Sequence, residues 1–184
     1  MKAMILAAAA ALLANTPAPA QAQTPARDTA AMDRLAFMRG VWVGPATGVN
    51  RDGSTYAVTQ TERIGPLLDG DLLVIEGRGY KADGATGFNA FGVVSWNSQE
   101  QKYEFRSYAQ GYSGTFPFAA TDHGYVWEIP AGPGVMRYTA DMTATTYHEV
   151  GEFVMDGQPS RRMFEMTLTR RGDTDWPGAG AVQP

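Results

Sequence analysis

The chain contains no cysteine. That single absence removes disulfides, thiolate metal sites, iron–sulfur clusters and cysteine nucleophiles together. Histidine is almost as scarce, with 2 in 184 residues, so a histidine-rich metal centre is excluded. Clustered positive charge is missing too. Lys and Arg number 15 against 19 acids, a net charge of −4, which argues against a nucleic-acid or anionic-membrane surface. No apolar run reaches membrane-spanning length. The motifs G-x-S-x-G and H-E-x-x-H, a glycine-rich phosphate loop and a calcium loop are all lacking.

What is present begins with a three-part leader. Lys2 supplies a positive start, Ala3 to Leu13 an unbroken apolar run, and Pro17, Pro19 and the triplet Ala20-Gln21-Ala22 a small-residue cleavage pattern. The expectation is a signal peptide over 1–22, cleaved near Ala22, and a periplasmic or secreted product. Its removal takes away one lysine and no acid, leaving a charge of −5. Residues 23–30 read as a flexible N-terminus, 31–171 as one folded domain, and the Gly/Ala/Pro-rich stretch 172–184 as a loose tail. The 44% hydrophobic content is enough for a packed core.

Within 31–171, Met32, Leu35 and Met38 fall at helical spacing and predict a short helix. Beyond it, nine turn signals punctuate the chain, among them Asp52-Gly53, Asp69-Gly70, Asp83-Gly84, Gln110-Gly111 and Asp156-Gly157. The runs between them are rich in Val, Ile, Thr, Tyr, Phe and Trp, and predict about ten strands. Several alternate: Tyr103, Phe105, Ser107 and Ala109 against Lys102, Glu104, Arg106 and Tyr108; Phe164, Met166 and Leu168 against Glu165, Thr167 and Thr169. One apolar and one wet face is the pattern of an antiparallel sheet buried on one side. Hairpin-short links imply up-and-down order, and closure removes both edges, so the expected fold is all-β: an up-and-down antiparallel barrel of about ten strands with a short N-terminal helix. A barrel that wide has an internal cavity.

Gly40-Val41-Trp42 opens the first strand and Arg170-Arg171 closes the last. This G-x-W with a terminal Arg resembles the calycin barrels: lipocalins, fatty-acid-binding proteins and nitrobindin-like proteins. "FMRGVWVG", "LLDGDLLVIEGRGY", "FGVVSWNSQEQKYEFRSYAQG" and "GEFVMDGQPSRRMFEMTLTRR" resemble, more narrowly, a family of secreted bacterial barrels. The resemblance spans roughly Leu35 to Arg171. It implies that Trp42 plugs one barrel end, that Arg170 or Arg171 packs over it, and that Gly40 clears space. It implies no particular activity. The sequence departs from lipocalins in strand number and in lacking disulfides.

The densest polar cluster is Tyr147-His148-Glu149-Val150-Gly151-Glu152. Alternation sets His148 and Glu152 on one face, Tyr147, Glu149 and Phe153 on the other. Four residues along a strand span about 13 Å, too far for His148 and Glu152 to share one metal, and no metal site is expected. The nitrobindin resemblance would make His148 the candidate haem ligand, but the motif around it does not match, and no cofactor is expected. His123 lies in a turn. Glu62, Glu76, Glu149, Glu152 and Glu165 are all mid-strand; Arg137 is expected near Glu149, and Arg161 and Arg162 near Glu152. They form either surface ion pairs or one buried acid of raised pKa.

Three functions follow. One is a binding barrel holding a small apolar or aromatic molecule against Tyr103, Phe105, Tyr125, Trp127, Tyr138 and His148. The second is a cofactor-independent isomerase, cyclase or lyase using His148 with Glu149, Glu152 or Glu165. The third is a structural envelope protein with a filled barrel.

Overall fold

A computed structural model describes residues 29–176 and Gly178. The leader over 1–22 lies outside the described residues, as do 23–28 and most of the last eight. The described residues start with a single turn of helix, α1 (Thr29–Asp33), followed by a 3-10 turn over Ala36–Met38. Met32, Leu35 and Met38 are all buried, so the helical spacing reflects one face pressed on the core.

Ten strands follow: β1 (Gly40–Val49), β2 (Thr55–Leu67), β3 (Leu72–Tyr80), β4 (Thr86–Asn97), β5 (Lys102–Ala109), β6 (Tyr112–Ala120), β7 (Gly124–Ala131), β8 (Gly134–Met142), β9 (Thr146–Val154) and β10 (Arg161–Gly172). Each pairs antiparallel with its chain neighbours, and β1 with β10 closes the barrel. The fold is the ten-stranded up-and-down barrel that the turn rhythm predicts. Connections fall at the Asp-Gly and Gln-Gly pairs; Gly53, at φ 85°, occupies the left-handed conformation such turns need.

One end of the barrel is packed solid. Leu35, Met38, Trp42, Ile64, Leu73, Val94 and Leu168 are essentially inaccessible there. Trp42 Nε1 donates to Met38 O at 3.0 Å, tying β1 to the 3-10 turn. Tyr103 Oη donates to Ala31 O at 2.6 Å, tying β5 to α1. Trp42 pairs with Arg170 across the closing seam, and the Arg170 guanidinium lies 6.0 Å from the indole centroid. The seam slips by one residue between Val41 and Trp42, so Arg171 falls at the irregularity and stays exposed. Of the two terminal arginines, Arg170 is the one over Trp42. Gly40, at φ 145°, leaves room for it, since a Cβ there would sit 3.0 Å from Arg170 Nε.

Beyond β10, part of the tail returns to the barrel wall. Arg63 reaches Asp175 at 3.0 Å and lies 4.9 Å from the Trp176 ring, which meets Phe91 edge-on.

Candidate functional site

The barrel is not filled from end to end. From the helix-free end a cavity of about 660 Å³ runs inward, its mouth formed by Val49, Arg51, Tyr56, Phe88 and Tyr112. Inward-pointing positions are the alternate residues of each strand. The expected alternation of β5 holds, with Phe105, Ser107 and Ala109 lining the cavity.

One wall is aromatic. Trp127 and Tyr138, opposite one another on β7 and β8, stack at 4.4 Å with planes 12° apart. Phe105 meets Trp127 edge-on at 4.9 Å, and Phe118 stacks on Tyr125 at 5.1 Å. On β3 and β4 the lining alternates in bulk: Ile75 and Gly77, then Phe88, Ala90 and Gly92. Phe105 packs over Gly92, where a Cβ would lie 2.5 Å from its ring.

The floor is polar and buried. Among the described residues, Gln60 and Glu62 of β2 and Glu149 of β9 are the buried polar and charged side chains, each 7% exposed or less. Gln60 Nε2 donates to Glu62 Oε1 at 2.7 Å. Gly77 makes room for that carboxyl, because a Cβ there would lie 2.7 Å from Glu62 Oε1. Across the floor, Tyr147 Oη donates to Glu149 Oε2 at 3.1 Å, and Tyr125 Oη donates to the same oxygen. The two tyrosine hydroxyls also touch each other.

Burial dominates the electrostatics. Loss of water pushes the Glu62 carboxyl up to about 8; the Gln60 hydrogen bond works against this, and the charges of Glu149 and Glu76 add to it. The Glu149 carboxyl is also pushed up by burial, with its two tyrosine donors pulling the other way. Burial, reinforced by the Glu149 charge, holds Tyr125 and Tyr147 well above the ordinary phenol range. Tyr138 is raised to about 12, first by burial.

Of the residues marked in the sequence, Phe105, Tyr125, Trp127, Tyr138, Tyr147, Glu62 and Glu149 line the cavity. Tyr103 does not; it belongs to the packed end, edge-on to Trp96 at 4.8 Å. His148, Glu152 and Glu165 stand on the outer face, because each is one step of alternation from an inward residue. His148 Nε2 and Glu165 Oε1 are 3.0 Å apart, with side chains 42% and 37% exposed. Glu165 also accepts from Arg162, and Glu152 accepts from Ser160 Oγ at 2.8 Å. The His148–glutamate pair is therefore a surface pair and not a lumen acid–base couple. His148 lies outside the lumen, and no histidine is among the residues lining it. Arg137 pairs with Glu128 at 2.6 Å, and its register partner is Glu152, not Glu149. Arg162 is indeed opposite Glu152, whereas Arg161 is opposite Phe153.

Gln60 is the floor residue that the sequence reading did not mark. Its signal was in β2, where Val58, Gln60, Glu62 and Ile64 share one face. Two polar residues between two apolar ones on an inward face mark a buried polar site.

No protein-family model matches the chain, and no curated protein matches it. Solved structures do. The M. tuberculosis protein Rv2717c superimposes with a TM-score of 0.58 at 12% identity, over 77% of this chain and 97% of that one. The S-type phycobiliprotein lyase CPES from Guillardia theta does so with a TM-score of 0.51 at 9% identity, over 78% and 93%. At such identities the likeness is one of fold, and the fold is a calycin-like barrel.

Proposed function

We propose that this barrel binds a small, largely apolar aromatic molecule in its lumen. The observation that carries the reading is the one-ended cavity of about 660 Å³ with an aromatic wall and a polar floor. That volume lies within the range of small-molecule sites, and few polar groups among many apolar ones is their usual chemistry. Space on this scale also weighs against a barrel whose only role is to be filled. Export through the leader over 1–22 is part of this proposal, and a reporter fused to those residues would leave the cytoplasm.

The test uses an apolar aromatic fluorophore titrated into the protein. Saturable one-to-one binding with quenching of tryptophan emission is expected, since Trp127 lines the wall. Ser107→Trp fills the lumen from β5 and should abolish that binding while the far-ultraviolet circular dichroism stays unchanged. A wild-type protein that binds no such probe, or a Ser107→Trp variant that binds normally, overturns the reading.

A second reading is favoured by the floor itself. Two buried carboxyls and two phenols at a blind end are the constellation of an acid catalyst, such as an isomerase or lyase. A lyase among the structural neighbours is a precedent on this fold. The catalytic groups would then be Glu62 and Glu149, and recovery of the bound molecule chemically changed would distinguish this reading from simple carriage.

A further inference from the structure

We infer that the lumen selects an aromatic molecule carrying a protonated nitrogen, with that nitrogen seated between Glu62 and Glu149 at the blind end. The inference rests on the lumen-binding reading and specifies its ligand.

The charged residues lining the cavity are Arg51, Glu62 and Glu149. Arg51 belongs to the turn at the mouth, so both interior charges are acidic. An anionic end group would meet two carboxyls and the negative faces of several rings. A cationic one would meet complementary charge on one side and π-faces on the other. The floor also has acceptors to spare. Gln60 Nε2 is committed to Glu62 Oε1, leaving Glu62 Oε2 and Gln60 Oε1 without a protein donor among the described residues. The tyrosine hydroxyls are directed to Glu149 Oε2 and do not compete for them. A bare metal ion is a poor fit, because among the described residues no group of three or more metal-ligating side chains occurs. A roomy aromatic wall beside the acids suits an organic cation.

Seating the cation exchanges one proton. At neutral pH Glu62 is mostly protonated, being raised to about 8. An ammonium brought beside it favours the carboxylate, so Glu62 releases its proton to solvent and an ammonium–carboxylate pair remains. The titratable groups on the inner faces around it are Glu149 and Tyr147 of β9, Tyr125 of β7 and Tyr138 of β8. The neighbours on β1, β3, β4, β5, β6 and β10 present apolar or small residues at that level. Glu76, on the outer face of β3, adds a weaker repulsion and is itself neutralised by Arg63 and Arg78. Affinity for the cation should therefore rise as pH rises from 6 towards 8.

The experiment compares three probes of one shape by calorimetry: 2-naphthylmethylamine, 2-naphthylmethanol and 2-naphthoate. The expected order is amine over alcohol by about tenfold or more, with naphthoate weakest. Repeating the amine titration at pH 7 in phosphate and in Tris should reveal net proton release. In Glu62→Gln and Glu149→Gln the ratio of amine to alcohol affinity should fall towards one. Equal binding of amine and alcohol, tighter naphthoate, or no proton release overturns the cationic inference and leaves lumen binding standing. Failure of all three probes to bind overturns both. The wild-type comparison stands even where a variant does not fold.

Discussion

Glu62 and Glu165 are the same side chain on the same kind of strand, one alternation step apart in orientation. Glu165 points outward, and its hydrogen bond from His148, aided by Arg162, holds its carboxyl below the usual range. Glu62 points inward and is raised to about 8. This has a consequence for stability. Unfolded, Glu62 ionises near 4.5. Between that value and about 8 the native state therefore holds a proton that the unfolded chain has lost. The stability Glu62 contributes is full below the lower value and disappears as pH rises through the upper one. Urea unfolding between pH 5 and 9 should show a declining stability, and Glu62→Gln should flatten the decline. An unchanged slope in the variant would assign the effect to another group. Trp42 acts through volume rather than charge. It is wholly buried and edge-on to Tyr147 at 5.9 Å, so Trp42→Ala should cost about 3–5 kcal/mol in denaturant unfolding. A cost below about 1 kcal/mol would mean that the plug is dispensable.

At the scale of the element, the closing seam between β1 and β10 leaves no room for an added side chain at one position. Gly44 lies against β10 so closely that a Cβ would sit 2.2 Å from Thr167 O and 2.8 Å from Leu168 Cα. Those are backbone atoms of a paired strand and cannot rotate away. Gly44→Ala should therefore cost about 1–3 kcal/mol and speed amide exchange in β1 and β10 before β6 and β7. Exchange that rises evenly around the barrel would show that the seam holds no special place. The strand pattern itself was legible because each strand has one wet face and each link carries a turn residue. β2 was the least legible. Its inward face mixes Gln60 and Glu62 with Val58 and Ile64, so period-2 reading alone does not say which face is buried.

At the scale of the whole molecule, ten strands give a lumen wider than the side chains that line it, while one short helix and a ring of large residues close a single end. The result is a one-ended container. Tyr103 illustrates how this decides a residue's role: alternation aims it inward as it does Phe105, yet its level along the axis places it in the packed end. Level along the axis follows from strand stagger, and that is set by pairing across the closed sheet rather than by any local signal.

Taken by itself, the sequence determined the class of fold, the approximate number and the order of strands, and the exclusion of thiol chemistry. These depend on local periodicity, turn residues and composition, which a linear chain displays directly. Only the tertiary structure decided that Arg170 and not Arg171 covers Trp42, that His148 faces solvent, and that Glu62 joins Glu149 on one floor. The last pair is 87 residues apart in sequence, on β2 and β9, strands that do not pair with each other. They face a common space only because the sheet closes, and the raised carboxyl that gives the floor its chemistry exists only once that closure has removed the water.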